Sequence, residues 1–108
     1  MKTERRDTPR FPAALEAIIN FNSQDYRPTR TRDISLDGVF VEDNKHSISE
    51  DDHVDLAIRL PSNGQSKFHR FQAKAVRTTG YGAGFAFDEV DTDAYTALLE
   101  YVFARQGR

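Results

Sequence analysis

The sequence contains no cysteine among its 108 residues, which excludes disulfide cross-links and thiolate metal sites. No run of apolar residues approaches the ~20 needed to span a bilayer, and the first residues lack the apolar core of a secretory signal. We therefore expect a soluble cytoplasmic protein. No serine lies in a nucleophile elbow, and the three histidines are too scattered for a metal pattern: His46, His53 and His69. No enzymatic activity, metal or cofactor is expected.

The net charge is close to neutral, at −2, and neither favours nor excludes a polyanionic partner. With 38% apolar and 30% charged residues, the chain has the composition of one soluble domain with a modest core. The charges are nevertheless distributed unevenly along the chain. Basic residues gather in two groups, Arg5, Arg6 and Arg10 and then Arg27, Arg30 and Arg32, before an acidic middle of Glu42, Asp43, Glu50, Asp51, Asp52 and Asp55. We expect any anion site to involve the two basic groups.

Alternating apolar residues and turn signals predict a chain made mainly of short strands. Residues 42–52 are polar and predict a loop, and the sequence from Pro61 to Gly64 predicts a turn. The extended segments are residues 13–21, 26–34, 39–41, 54–60, 68–78 and 81–87. Within the second segment, Pro28 favours an edge position or a bulge. This spacing predicts a small antiparallel barrel or sandwich of six or seven strands.

The last segment changes to a helical period. Its apolar residues lie at i, i+3, i+4 and i+7: Tyr95, Leu98, Leu99 and Val102. Asp91 or Thr92 can cap a helix of about three turns. We expect this helix to close one end of the barrel, although Tyr101 and Phe103 lie off the main face and could instead contact another protein or a second copy.

One turn carries a motif, D-x-S-x-x-G, formed by Asp33, Ser35 and Gly38. Upstream of the first predicted strand stands a second motif, R-x-x-x-R, at Arg6 and Arg10. The two motifs in this order, in a small β-rich chain, resemble the PilZ domain family of bacterial receptors for cyclic di-GMP. The resemblance covers essentially the whole chain, and the Gly-x-Gly sequence with two phenylalanines within residues 82–87 is similar to the family's closing strand.

The resemblance implies that Arg6 and Arg10 clamp the nucleotide while Asp33, Ser35 and Gly38 line the barrel surface beneath it. The chemistry is consistent, because cyclic di-GMP is a dianion with two guanines. An arginine fork matches phosphate oxygens and also the O6 and N7 acceptors of guanine. The opposite guanine edge offers N1 and N2 as donors, and an Asp carboxylate and a Ser hydroxyl can accept hydrogen bonds from them. A glycine keeps a side chain away from the ligand.

Two further ligand contacts are expected. Arg5, directly before the first motif, could meet a second guanine, which suggests that two intercalated ligand molecules bind together. Many family members also place an aromatic residue on a late strand near the ligand, but residues 75–77 contain no Trp or Tyr. Arg77 could replace that residue by stacking its guanidinium plane on a base.

The predicted protein is thus a cyclic di-GMP receptor or adaptor without catalytic activity. Residues 1–12 form a flexible arm, residues 13–90 the barrel and residues 91–108 the helix, all in one domain. The arm orders on ligand binding and the change passes to an unidentified partner protein. Three alternatives stay open: a barrel that binds single-stranded nucleic acid through Arg27, Arg30 and Arg32, a ligand-blind adaptor, and a basic tail that is merely solvated.

Overall fold

The structure is a computed structural model that describes residues 9–20, 26–43, 48–62 and 64–106. These residues form seven strands and a final helix. The elements are β1 (Phe11–Pro12), β2 (Glu16–Asn20), β3 (Tyr26–Ile34), β4 (Gly38–Glu42), β5 (His53–Ser62), β6 (Gln65–Thr78), β7 (Gly82–Val90) and α1 (Thr92–Gln106). Each predicted segment overlaps one of the strands β2 to β7, and β3 has the predicted bounds.

All strand pairs are antiparallel, and the sheet closes on itself. The strand order is β1-β3-β2-β5-β6-β7-β4, with an additional pairing between β3 and β4. Six strands therefore form a closed barrel, and β1 is an extra strand that pairs with β3. The predicted fold, a small antiparallel barrel followed by a C-terminal helix, is confirmed.

The strands β1 and β2 run along the same edge of β3 and are separated by residues 13–15. The buried Thr31 bridges this interruption: its Oγ1 donates to the carbonyl of Ala13 and accepts from Leu15 N at 3.0 Å. Two backbone bonds, Ala13 N to Arg32 O and Thr31 N to Leu15 O, both 2.9 Å, complete the connection. The residues just before β1 are thereby held beside the end of β3.

Pro28 has no backbone N–H to donate, so it suits a position where one side of the strand is unpaired. Residues 26–30 of β3 pair with β2, whereas the pairing with β4 involves Thr31 to Ile34. Among the described residues, Pro28 therefore lies where one side of β3 has no strand partner, and the edge position predicted for it is confirmed.

Three strands each contain one extra residue relative to a neighbour, and in β7 it lies between Phe87 and Val90, which pair with Ala73 and Phe71 of β6. In β3 the pairing with β4 passes from Thr31 to Asp33 while β4 advances by a single residue. In β6 the pairing with β7 passes from Ala75 to Arg77 in the same way. Such bulges break the strict alternation of faces. In β3 and β6 the bulged residue follows a buried residue and is itself exposed: Arg32 follows Thr31, and Val76 follows Ala75.

The barrel interior is filled by apolar side chains from β2 to β7, and α1 packs against β5 and β6. Asp91 caps the helix, since its Oδ1 accepts from Ala94 N at 2.9 Å. The helix has 15 residues, about four turns rather than the three expected. Its buried face contains Ala94, Ala97, Leu98 and Val102. The expectation that Tyr95 belongs to this face is wrong: it is 41% exposed, because the small Ala94 faces the barrel in its place.

Two further strand limits differ from the sequence prediction. The strand β5 continues through Ser62, which pairs with Gln65, so Pro61 and Ser62 of the turn predicted over residues 61–64 belong to the strand. Pairing also begins at Phe11, inside the predicted arm of residues 1–12.

Within the described ranges, the helix is not long and apolar enough to cross a membrane. The same ranges contain no cluster of three or more His, Asp or Glu side chains that could hold a metal ion.

Candidate functional site

Arg10 and Asp33 meet at the end of β3. Arg10 Nη2 and Nε lie 2.8 and 3.0 Å from the same carboxylate oxygen, Asp33 Oδ1. The two side chains are 33% and 35% exposed, so the pair is half-buried and reachable from solvent. The position of Arg10 follows from β1, because Pro12 pairs with Asp33 across the strands. The structure thus brings together one residue from each of the two sequence motifs.

The turn that follows β3 is organised by Ser35. Its Oγ donates to Asp37 Oδ1 at 2.7 Å and accepts from Asp37 N at 3.3 Å, while Ser35 N donates to Gly38 O at 2.9 Å. The residue is 0% exposed. The Ser35 hydroxyl therefore serves the turn and does not line the outer surface in this conformation. A direct contact of Ser35 with a ligand stays a prediction.

Gly38 is required by strand packing. A Cβ at this position would lie 2.3 Å from the carbonyl oxygen of Phe85 on the neighbouring β7. Real Cβ atoms essentially never approach backbone so closely, so the close contact of β4 with β7 requires glycine here. The expected role of Gly38 beside a ligand stays a prediction, whereas its close packing against β7 is observed.

Four residues lie in register across four neighbouring strands and form what we call the outer row. Asp33 on β3 pairs with Phe40 on β4, Phe40 pairs with Gly84 on β7, and Gly84 pairs with Arg77 on β6. A Cβ on Gly84 would lie 3.7 Å from the Phe40 ring and 3.8 Å from Arg77 Nε, so both side chains lean over this glycine. The predicted ligand residues Asp33 and Arg77 are therefore the two ends of one surface.

Sequence reasoning missed the aromatic part of this surface. The guanidinium carbon of Arg77 lies 5.7 Å from the centroid of the Phe40 ring. That of Arg32 lies 5.9 Å from the centroids of both Phe40 and Tyr81. These are cation–π distances. The apolar run around Phe40 predicts a strand but does not indicate that this ring faces outward.

The remaining candidates are placed as follows. Arg5 and Arg6 lie outside the described residues, so their contribution stays a prediction. Arg27 Nη1 forms an ion pair with Asp43 Oδ1 at 3.5 Å, and the Asp43 side chain is only 3% exposed. Arg30 is exposed on β3. The second basic group is therefore divided, since Arg27 is bound to an acid while Arg32 lies against Phe40 of the outer row.

Several solved structures share the fold. The Bacillus subtilis inhibitor of motility MotI/DgrA superposes with a TM-score of 0.80 at 23% identity, over 96% of this chain and 52% of that chain. The PilZ domain of CeSA from a cellulose-synthesizing bacterium gives 0.64 at 18% identity, over 91% and 98%. Borreliella burgdorferi PlzA, solved in complex with c-di-GMP, gives 0.62 at 17% identity, over 91% and 41%. The chain thus spans about half the length of MotI/DgrA and less than half of PlzA.

None of the curated proteins compared matches the chain in sequence. The family model described as the PilZ domain, in contrast, matches residues 4–104, which include both arginine and turn motifs, every strand and most of the helix. The chain belongs to the PilZ domain family.

Proposed function

We propose that this domain is a receptor for cyclic di-GMP that binds the ligand on its outer face and signals to a partner protein without catalysing a reaction. The observation that carries the proposal is the pair of Arg10 and Asp33, in which the two motifs meet at an exposed strand end. The ligand class is supported by the family match and by the complex of PlzA with c-di-GMP.

The geometry of the pair leaves groups available for a nucleotide. Both contacts of Arg10 converge on Asp33 Oδ1, and no described side chain hydrogen-bonds Oδ2. That oxygen can accept from the N1 and N2 donors of a guanine, while the outer nitrogen of Arg10, Nη1, can donate to a phosphate or to guanine O6 and N7. The existing pair therefore orients both side chains for the ligand and does not have to break completely.

The arm before Arg10 would complete the site. Ordering six arm residues costs roughly 6–12 kcal/mol for the backbone, and each charged hydrogen bond returns only ~1.5–3 kcal/mol. Because Arg10 is already held beside Asp33, part of this cost is met before the ligand arrives. We propose that Arg6, and Arg5 beside it, fold over the bound ligand, and that this ordering is the signal read by the partner.

The number of bound ligands belongs to the same proposal. Arg5 adds a third guanidinium to those of Arg6 and Arg10 in the N-terminal segment, and this group could contact a second guanine. We propose an intercalated pair of cyclic di-GMP molecules, with Arg5 and Arg77 on the outer bases. A titration that saturates at one ligand per chain would exclude this stoichiometry.

The nucleic-acid alternative gains no support from the site. It requires a continuous basic strand, whereas Arg27 is paired with the buried Asp43 and only part of its side chain reaches solvent. It also predicts that binding does not depend on Asp33. The same titration distinguishes it, because a single-stranded oligonucleotide would then bind the wild type and the Asp33→Ala variant equally well.

The test is calorimetric titration of the full chain with cyclic di-GMP, with linear di-GMP and GTP as control ligands. We expect binding that falls about ten-fold or more in Arg6→Ala, Arg10→Ala and Asp33→Ala, because each removes charged hydrogen bonds. The matched control is Asp55→Ala. Asp55 is also 35% exposed and pairs with Arg70 at 3.1 Å, but it lies on β5 outside the outer row. No heat with the wild type at tens of micromolar ligand would defeat the proposal, as would equal losses in Asp33→Ala and Asp55→Ala.

A further inference from the structure

Phe40 is buried on the outside of the barrel. Its neighbours Val39 and Val41 belong to the hydrophobic core, so strand alternation turns Phe40 to the opposite face. It is nevertheless only 6% exposed and is not a member of the core cluster. Part of its cover comes from the guanidiniums of Arg32 and Arg77, at 5.9 and 5.7 Å. The surface next to Asp33 is therefore an ordered aromatic and guanidinium layer.

Tyr81 extends this layer and is open to solvent. The residue is 69% exposed, although Arg32 lies over the ring at 5.9 Å. Its backbone is fixed on both sides, because Tyr81 N donates to Thr79 Oγ1 at 3.0 Å and Tyr81 O accepts from Asp43 N at 2.8 Å. A large planar ring, held at its backbone and backed by a cation, thus presents a face to solvent.

The charge and size of the surface suit a doubly charged dinucleotide. Arg10, Arg32 and Arg77 with Asp33 leave two positive charges, equal and opposite to those of a cyclic dinucleotide. The outer row crosses four strands, or about 14 Å at the usual strand spacing. This is wider than one guanine, so the Asp33 end and the aromatic end can contact different bases.

We infer that Tyr81 is the base-stacking residue of this site and that Arg32 is its positioning residue. A guanine of the ligand stacks on the open face of the Tyr81 ring, while Arg32 holds the other face and directs its charge toward the adjacent phosphate. The inference rests on the proposed function, in which Arg77 contacts an outer base, and it adds the aromatic stacking that residues 75–77, without Trp or Tyr, do not provide.

The experiment is titration of the full chain with cyclic di-GMP. Base stacking predicts that Tyr81→Ala loses about five- to a hundred-fold in affinity, whereas Tyr81→Phe, which keeps the ring, stays within two-fold of the wild type. Tyr26→Ala is the matched control, because Tyr26 is 62% exposed at the far end of β3 and should have no effect. In NMR spectra, the Tyr81 ring protons should shift upfield on ligand addition and those of Tyr26 should not.

The positioning role of Arg32 has its own pair of variants. Arg32→Lys keeps the charge but loses the planar group, so we expect weaker binding and a smaller shift of the Tyr81 ring protons. Arg30→Lys, an exposed arginine on the same strand, should change neither. If the wild type binds and Tyr81→Ala binds equally well, the inference is overturned while the proposed function stands. If the wild type does not bind, the proposed function itself fails.

Discussion

Replacing Thr31 by valine tests how the residues before β1 are held at the site. Valine has nearly the shape of threonine, but it cannot donate to the carbonyl of Ala13 or accept from Leu15 N, as Thr31 Oγ1 does. Leaving a buried backbone group unpaired costs about 1–3 kcal/mol. With two groups affected and one additional methyl buried, we expect a loss of about 2–4 kcal/mol in the free energy of unfolding. For a domain of this size that corresponds to a Tm lower by roughly 8–16 °C.

The assay is urea and thermal unfolding followed by circular dichroism, with two matched variants. Thr31→Ser keeps the hydroxyl and should lose about 1 kcal/mol for the missing methyl. Thr29→Val, on the same strand, removes a single half-buried bond to Glu42 O at 2.7 Å and should cost about 1 kcal/mol. A Thr31→Val variant no less stable than Thr29→Val would refute the reasoning, because the two bridging bonds would then contribute no more than the single bond of Thr29.

Two further substitutions test the packing and the helix cap. Gly38→Ala should destabilise the domain by about 1–3 kcal/mol in urea unfolding, because its Cβ would meet Phe85 O at 2.3 Å. The control Gly80→Ala, with nothing within 4 Å of the new Cβ, should be nearly as stable as the wild type. Equal losses of stability in the two variants would count against the close approach of β4 and β7. Asp91→Ala should lower the free energy of unfolding by about 0.5–2 kcal/mol, because it removes the acceptor for Ala94 N. Asp91→Asn retains a capping oxygen and should lose less stability. An equal loss in the Asn variant would show that the charge of Asp91, and not capping, stabilises the helix.

The elements that sequence reasoning identifies are those whose signals are local. Alternation from Val54 to Leu60 predicts β5 because one face of that strand meets the core and the other meets solvent. The Asp37-Gly38 pair predicts the turn between β3 and β4 because both residue types favour tight turns. The pairing of Arg10 with Asp33 is predictable only through the family resemblance, since 23 positions separate the two residues.

The features that sequence reasoning misses depend on contacts between distant segments. The strand β1 has two residues and contains Pro12, so it carries no periodic signal, and it exists because β3 offers it partners. An apolar run such as residues 39–41 indicates a strand without indicating which side of the sheet Phe40 occupies. On the helix, spacing alone allows either Ala94 or Tyr95 to face the barrel, and close packing against β5 and β6 selects the smaller side chain.

The extra residue in β3 fixes the phase of the whole strand. Side chains alternate with a period of two, so deleting Arg32 would remove more than a charge. It would either exchange the inward and outward faces of Tyr26–Arg30 or slide that half of the strand along β2. The number of residues between the part of β3 that pairs with β2 and Asp33 therefore determines which side chains of β3 face the core. Length changes at this point would alter the barrel itself, even where every motif residue is retained.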